Sequence, residues 1–231
     1  QQEQSEYWYD QLKEFASQGD TPLHREAASR VIYLDIGLPH RDVKALIPKF
    51  LELSKLLLSR EIVLPEFSLT SYQPSVMNGG KDFCEWSKRD KELALLIGKP
   101  VSMLLGKYGK GLVNEALGES YFEKGTDDFA VHAYLSKAFL EAESNGKTEL
   151  QFAVVGIQTR MSLLNGAPGI ARERLESIRK KVDEGDSPAL LENMDALGCR
   201  ISLYENDAAA VEKWMKQAPD EIQEFYTANR Y

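Results

Sequence analysis

The stretch GLVNEALGESYFEKGTDDFAVHAYLSKAFLEAESNG, residues 111–146, divides into two helical patterns separated by Gly-Thr-Asp-Asp. Ala130 and Tyr134 lie four residues apart, early in the second of these predicted helices. Equivalent residues follow at a regular distance: Ala171 and Leu175 come 41 residues later, and Val211 and Met215 another 40 residues after them. The stretch is therefore predicted to be the first of several similar helix pairs.

Apolar residues outside this stretch repeat at the spacing of one helix face. They form three stripes: Leu190, Met194, Leu197, Ile201 and Tyr204; Leu150, Ala153, Val154, Ile157, Met161 and Leu164; and Ala171, Leu175, Ile178 and Val182. Thr148 and Gln151 suggest a capping box at a helix start, and Ser187-Pro188 a second start. Asn165-Gly166 and Glu184-Gly185 are typical of helix C-termini.

A period of about 40 residues with two helices per unit is typical of an α-solenoid. The predicted units lie near 109–146, 148–185 and 187–218. The first resembles the tetratricopeptide (TPR) pattern at Leu117-Gly118, Tyr121, Ala130 and Tyr134, whereas the later units are longer and lack the Gly and Tyr. The fold is predicted to be all-α, a TPR-like α-α superhelix. The alternative is three unrelated helical hairpins.

The first hundred residues predict helices without a repeat. The expected segments are Ser5–Ser17, a helix from Thr21-Pro22 to Gly37, residues 39–59, Cys84–Gly98 and Val101–Tyr108, with an extended or loop stretch at 60–70. We expect residues 1–80 to form an irregular helical unit that ends in a Gly-rich turn, and 81–231 to form the repeats. No alternating pattern is long enough to predict a sheet.

Charge and composition exclude several classes of function. The net charge is −8, and no basic cluster exceeds the run Arg179-Lys180-Lys181, so direct DNA contact is not expected. No apolar run could cross a membrane. Two cysteines are too few for a disulfide framework, which favours a reducing, cytoplasmic setting. The chain starts without Met and ends at EFYTANRY, so we expect it to be part of a longer protein.

The sequence motifs that would indicate nucleotide binding, catalysis or metal binding are incomplete in this chain. The nearest P-loop candidate, Gly146-Lys147-Thr148, needs Gly at position 141, which is Glu141. The sequences His40-Arg41-Asp42 and His24-Arg25-Glu26 lack the partners of a kinase loop and a zinc deaminase. The three His and two Cys have no metal-ligand spacing. We predict no catalytic residue, metal site or cofactor in this chain.

The stretch PSVMNGGKDFCEWSK, residues 74–88, interrupts the helical pattern. We interpret it as a connector: Asn78-Gly79-Gly80 suits a tight turn, and Phe83 and Trp86 would anchor the next helix. Ligand contact by this loop and a nucleophilic Cys84 are the alternatives. A thiol packed among aromatic rings is the preferred interpretation of Cys84, and Cys199 is predicted to lie in the core.

Several motifs resemble the central region of large bacterial LuxR-type transcriptional regulators of the MalT-like class. The pattern P-S-x-x-N-G-x-x-D-F-x-x-W matches from Pro74 to Trp86, Y-G-x-G-L from Tyr108 to Leu112, and D-x-x-A-V-E-x-W from Asp207 to Trp214. The resemblance implies an ATP-binding STAND-type ATPase domain and a DNA-binding helix-turn-helix, both outside this chain. It also implies that this region receives an inducer or partner protein and controls self-association.

Four charged residues are candidates for a binding groove if the repeat register holds. They are Glu115 and Glu119 in the first unit, Arg160 in the second and Arg200 in the third. The alternative is that they are solvated helix charges. The predicted function is a non-catalytic sensor or interaction region that takes a small-molecule inducer or a partner protein. The competing hypotheses are a stand-alone TPR-like adaptor and an all-α enzyme with a closed pocket and a titratable cluster of shifted pKa.

Overall fold

A computed structural model describes residues 2–37, 48–49, 51–53, 55, 68–70, 74–76, 89–125, 127–145, 147–183 and 188–218. Regular structure within these ranges is helical throughout, so the predicted all-α class is confirmed. The helices are α1 Gln2–Ser17, α2 Pro22–Gly37, α3 Asp90–Leu105, α4 Leu112–Lys124, α5 Asp128–Asn145, α6 Thr148–Leu164, α7 Pro168–Asp183, α8 Pro188–Tyr204 and α9 Ala208–Met215. A 3-10 turn, Gly106–Gly109, precedes α4.

Contacts divide the chain into two compact units. The first comprises Gln1–Glu66 and Leu96–Leu104, and the second Phe67–Leu95 and Leu105–Tyr231. The predicted boundary between residues 80 and 81 lies outside the described residues and stays a prediction. Residues 68–70 and 74–76, which the sequence assigned to the first unit, belong to the second by their contacts. The connector residues Asn78, Gly79, Gly80, Phe83 and Trp86, together with Cys84, are also outside the described ranges.

The first unit contains the hairpin of α1 and α2, which pack on each other. The Tyr9 hydroxyl donates to the Asp35 carboxylate at 2.7 Å. The Phe15 ring stacks on His24 with ring centres 4.7 Å apart. A largely apolar pocket of about 640 Å³, with Trp8 in its lining, lies on the same hairpin.

The second unit contains three consecutive helix pairs: α4 with α5, α6 with α7, and α8 with α9. Each second helix packs on the first helix of its own pair, and α5 and α7 also pack on the first helix of the next pair. The first helices contact one another as well, α4 with α6 and α6 with α8. The three first helices therefore share one side of the unit. The superhelical path of a TPR-like stack stays a prediction.

The predicted apolar stripes supply the core of this unit. One buried cluster joins α6, α7 and α8, and includes Phe152, Leu175 and Met194. A second joins α5 and α6 through residues such as Leu135 and Val154. The prediction that the stripes are buried is wrong at two residues: Leu164 is 70% exposed and Tyr204 is 44% exposed. Each is the last residue of its helix. Cys199 is buried, as predicted.

Two local predictions are corrected by the structure. The part of the predicted helix Cys84–Gly98 that the structure describes and the predicted helix Val101–Tyr108 up to Leu105 form one helix, α3, with Pro100 in its interior. Proline removes one helical N–H donor, which bends or weakens a helix without always ending it. The predicted capping box at Thr148 is also wrong, because Lys147 is the N-cap and has no side-chain capping bond. The Gln151 amide instead donates to the Ala142 carbonyl on α5 at 3.3 Å.

Candidate functional site

Helix α4 presents three glutamates at four-residue intervals along one face: Glu115, Glu119 and Glu123. Glu115 and Glu119 have no exposed surface at all, which is unusual for carboxylates. Close packing of α4 on α5 contributes to this burial. A Cβ atom built on Gly118 would lie 2.6 Å from the Leu135 side chain, so the two helices approach more closely there than any larger residue allows.

Helix α6 supplies the second wall. Glu149, Gly156 and Arg160 are separated by seven and four residues, which places them on one face of this helix. Glu149 lies in the first turn of α6 and is only 4% exposed. Because α4 and α6 pack on each other, these two faces border a common groove. We use "the groove" for the surface formed by Glu115, Glu119, Glu149, Gly156 and Arg160.

Residues 68–70 bind Glu149 through three donors. The Ser68 hydroxyl donates to Oε2 at 2.5 Å, and the Leu69 backbone N–H donates to Oε1 at 2.6 Å. The Thr70 hydroxyl adds a longer bond to Oε2 at 3.3 Å. A carboxylate that loses water on burial needs such donors, and hydrogen bonds to charged groups are the stronger ones. Glu149 is therefore satisfied by a segment about 80 residues away in sequence.

Residues 74–76 contact both α4 and α6. The Ser75 hydroxyl donates to Oε1 of Glu119 in a short hydrogen bond, and the Val76 N–H donates to Oε2 at 3.0 Å. Pro74 lies directly on Gly156, where a built Cβ would be 2.5 Å from the Pro74 Cβ. Gly156 thus leaves the space that this part of the chain fills. We call residues 68–70 and 74–76 the bound segment.

Residues 68–70 and Pro74 contact α6, and Ser75 and Val76 contact α4. The first of these contacts is in the first turn of α6, and Gly156 is seven residues further along, a rise of about 10 Å. Leu69 and Pro74 are five positions apart, and a chain of that length spans at most about 17 Å. The distance between the anchor points is therefore within the reach of the chain that joins them.

Arg160 bridges the same two helices one turn beyond Gly156. Its guanidinium donates to Glu123 of α4 at 2.8 Å and lies 4.6 Å from the centre of the Phe122 ring. Three of the four predicted groove residues, Glu115, Glu119 and Arg160, therefore lie around one groove. The fourth, Arg200, is partly buried on α8, and none of the described hydrogen bonds or ion pairs connects it to this groove.

The buried carboxyl pair has an unusual proton affinity. Burial raises the pKa of Glu115 well above its ordinary value, and the negative charge of Glu119 raises it further. In the ionised form, neither oxygen of Glu115 has a hydrogen-bond donor among the described residues. In the protonated form, Glu115 can share its proton with Glu119, the third cause of the raised pKa. Glu115 therefore favours its protonated form.

Sequence reasoning identified Glu115, Glu119 and Arg160 but missed the residues that pair with them. Glu119 was considered as a groove residue or a solvated charge, and the structure shows it buried and bonded to Ser75. Glu149 was not singled out, because its partners lie about 80 positions away in sequence. Pro74 and Ser75 were noted only as motif residues. Their role depends on contacts with residues more than 40 positions away.

Two further kinds of site, a metal centre and a membrane-spanning helix, are considered for the described part of the chain. No group of three or more His, Cys, Asp or Glu side chains is arranged to hold a metal ion in the part of the chain that the structure describes. None of the helices in those ranges has the length and apolarity to cross a membrane. Comparison of the chain with protein-family models, curated proteins and solved structures finds no match.

Proposed function

We propose that this chain is a non-catalytic sensor or interaction region whose groove receives a small-molecule inducer or a segment of a partner protein. The observation that carries the proposal is the bound segment itself. Two buried carboxylates, Glu119 and Glu149, accept hydrogen bonds from backbone N–H and hydroxyl groups of residues 68–70 and 75–76. A groove whose carboxylates bind such donors of its own chain has the chemistry to recognise the same groups on a ligand or partner.

The charge of the groove restricts what it can take. Glu119 and Glu149 are acceptors, and Glu115 adds a third carboxyl group on the α4 side. An anionic ligand would bring like charges together inside a poorly solvated site, which is costly. Ligands rich in N–H, hydroxyl or cationic groups are therefore favoured: neutral or basic peptides, and polyhydroxylated small molecules.

The wider role that we propose is regulation within a MalT-like LuxR-type transcriptional regulator. The support is the set of sequence motifs between Pro74 and Trp214, together with the helix pairs. In that setting, binding in the groove would control self-association and activation of the whole protein. ATP binding and DNA binding would belong to domains outside this chain.

The gene sequence around this chain distinguishes the regulator from a stand-alone adaptor. A Walker A motif upstream and a helix-turn-helix downstream would support the regulator. An open reading frame with neither motif would favour the adaptor. The prediction of a binding groove is common to both.

An enzyme is the alternative that one observation favours. The enzyme hypothesis predicts a cluster of titratable groups with shifted pKa values. Glu115, whose pKa is raised, lies beside Glu119 and fits that expectation. Glu119, however, is already bonded to Ser75 and Val76 of the same chain. The observed role of Glu119 is to hold residues of its own chain, which is why we prefer binding to catalysis.

A thermal-shift screen tests the proposed function. The 231-residue chain is screened against sugars, metabolites, nucleotides and short neutral, basic and acidic peptides, and affinity is measured for each hit. A ligand at about a hundred times its Kd adds roughly 2.7 kcal/mol to the free energy of unfolding. We expect hits among donor-rich ligands and none among acidic peptides. A well-folded chain that binds no ligand class would contradict the proposal.

Single substitutions then locate the binding site of a ligand found in the screen. Arg160→Ala removes the bridge between α4 and α6 at the end of the groove, and we expect at least a threefold loss of affinity. Arg179→Ala is the matched control, since Arg179 makes ion pairs with Glu176 and Asp195 on the exposed surface of α7 and α8. Arg200→Ala tests whether the groove extends to the third pair. Equal losses for Arg160→Ala and Arg179→Ala would move the binding site elsewhere.

A further inference from the structure

Large apolar side chains are exposed at one edge of the second unit. The turns within the three helix pairs lie at residues 125–127, 165–167 and 205–207. Seven large apolar side chains are exposed among the described residues of α4 to α9, and two of them, Leu140 and Met215, lie away from these turns. The other five lie within three residues of a turn: Phe129, Leu164, Ile170, Leu203 and Tyr204. Single exposed apolar residues are ordinary, whereas a concentration at one place indicates an interaction site.

The exposed residues recur with the period of the helix pairs. Ile170 lies 41 residues after Phe129, and both follow the turn of their pair. Tyr204 lies 40 residues after Leu164, and both directly precede a turn. Phe129 is 83% exposed and Leu164 is 70% exposed, so these side chains contribute little to the core. Their exposure follows the repeat and is not confined to one pair.

The three turns form one continuous edge. Connections of two to four residues make successive helices from α4 to α9 antiparallel, which brings the three turns to the same ends of the helices. Arg160, one turn before Leu164, donates to Glu123 beside the first turn at 2.8 Å. Arg172 of α7 donates to Glu205 in the third turn at 2.9 Å. Side chains therefore link the edge from the first pair to the second and from the second to the third.

The same edge is acidic. Five acidic residues lie within three positions of the turns: Glu123, Asp127, Asp128, Glu205 and Asp207. The one basic residue at such a position, Lys124, pairs with Asp90 at 2.6 Å, and Arg172 nearby pairs with Glu205. Asp127 and Asp128 are exposed and take part in none of the ion pairs between described residues. We call the surface formed by these five acidic and the five apolar residues the turn edge.

We propose that the turn edge is a docking surface for a basic amphipathic helix of a partner protein. First helices that contact one another lie about 10 Å apart, so the three turns span about 20 Å. At about 1.5 Å per residue, a helix of about 14 residues covers that distance. Its apolar face would contact Phe129, Leu164 and Leu203, and Lys or Arg beside that face would pair with the acidic residues. This surface is additional to the groove and does not depend on the proposed function.

Charge decides between this occupant and two others. A second copy of the chain would bring the same acidic residues against the turn edge if the two edges met, and like charges across an interface are costly. A membrane with anionic lipids would be repelled for the same reason. A partner helix with Lys or Arg supplies the opposite charge together with the apolar contacts.

The probe is a fluorescein-labelled helical peptide of about 14 residues of leucine and lysine, with all leucines on one face. Its binding to the 231-residue chain is followed by fluorescence anisotropy at about 0.15 M salt. We expect the double variant Phe129→Ser, Leu164→Ser to bind it at least about tenfold more weakly than the wild type. The matched control is Leu140→Ser, because Leu140 is exposed on α5 away from the turns.

A charge variant tests the second part of the recognition. Asp128→Lys should weaken binding of the peptide by at least about threefold, and by less at higher salt. Glu143→Lys makes the same change of charge near the other end of α5, where Glu143 pairs with Lys181 on the surface, and should leave the affinity unchanged. A second peptide, with glutamate in place of every lysine, should not bind measurably.

Several outcomes would overturn the proposal. One is equal affinity of the wild type and the double variant, with both shown to be folded by circular dichroism and melting. Another is a loss for Leu140→Ser as large as that for the double variant. If the double variant unfolds, equal affinity of Asp128→Lys and Glu143→Lys overturns the proposal instead. Tight binding of the glutamate peptide would contradict the assigned charge.

Two further measurements test the other occupants of the turn edge. Sedimentation of the wild type and the double variant detects self-association, and a dimer that only the wild type forms would assign the edge to a second copy. Binding to phosphatidylcholine vesicles that the double variant loses would assign it to a lipid surface. Either result would overturn the partner helix. The groove is tested by the ligand screen with other variants, so either proposal can fail alone.

Discussion

A buried carboxyl group with a raised pKa makes stability depend on pH in a defined direction. The folded state keeps the proton of Glu115 at pH values where the unfolded chain, with an ordinary value of 4.5, has lost it. Stability from this residue is therefore greatest below about pH 4.5 and falls as pH rises towards the raised value. One proton gives a slope of at most about 1.4 kcal/mol per pH unit.

Glu115→Gln removes the titrating group and keeps an amide donor near Glu119. We expect the variant to lose less stability than the wild type as the pH rises above the ordinary value of 4.5. Urea unfolding at several pH values measures the difference. The matched control is Glu212→Gln, since Glu212 is 71% exposed and pairs with Lys216 on the surface of the protein. Parallel pH profiles for wild type and Glu115→Gln would show that Glu115 titrates normally.

Ser75→Ala tests the hydrogen bond to Glu119 without adding charge. Loss of a donor to a buried charged group should cost about 1–3 kcal/mol of unfolding free energy. Ser144→Ala, on the exposed face of α5, should change it by less than about 0.5 kcal/mol. Urea titrations of the wild type and the two variants measure these free energies of unfolding. If Ser75→Ala lowers the free energy of unfolding no more than Ser144→Ala does, the hydrogen bond makes no net contribution to stability.

Gln151 shows why residue-scale predictions fail. Its spacing from Thr148 fits a capping box, and that was the prediction. In the structure its amide reaches the Ala142 carbonyl, and Lys181 donates to its side-chain oxygen at 3.1 Å. A polar side chain near a helix start has both local and distant partners, and the packing of neighbouring helices decided between them.

At the scale of the helices, Gly118 controls the distance between α4 and α5. A methyl group there would lie 2.6 Å from the Leu135 side chain, which is itself fully buried. We expect Gly118→Ala to destabilise the protein by about 1–3 kcal/mol, because overpacking outweighs the gain in helix propensity. Thermal and urea unfolding measure the change.

Gly169→Ala is the matched control for this substitution. Gly169 lies in the first turn of α7, and nothing is within 4 Å of its built Cβ. Alanine should be neutral or stabilise the helix by up to about 1 kcal/mol. A stabilising effect of Gly118→Ala similar to that of Gly169→Ala would show that α4 and α5 are not tightly packed at this point.

At the scale of the whole molecule, the second unit depends on a core shared by successive helix pairs. Leu175 is fully buried in the cluster that joins α6, α7 and α8. Leu175→Ala should cost about 2–5 kcal/mol, since it leaves a cavity between two pairs. Leu203→Ala on α8, where the side chain is 59% exposed, should cost less than about 0.5 kcal/mol. Similar costs for the two variants in urea unfolding would contradict the assigned core.

The sequence by itself determined the all-α class, the helix pairs of the second unit and most of the core residues. Apolar side chains at intervals of three and four residues encode a buried helix face locally, and Leu190, Met194, Leu197 and Ile201 are buried as that rule predicts. The helix ends were predicted less accurately than the core. The predicted end at Asn165-Gly166 is confirmed, with Gly166 at a φ of 69°, but Pro100 lies inside α3 and does not end a helix.

Only the tertiary structure decided what the charged residues of the first helices do. Glu115 and Glu119 have the spacing of ordinary solvated helix residues, and no local pattern predicts their burial. Their environment depends on Ser75 and Val76, and that of Glu149 on residues 68–70, across separations of 43 to 81 positions. Backbone hydrogen bonds of a helix are local and follow from local sequence, whereas a segment that crosses a groove is positioned by packing of the entire unit.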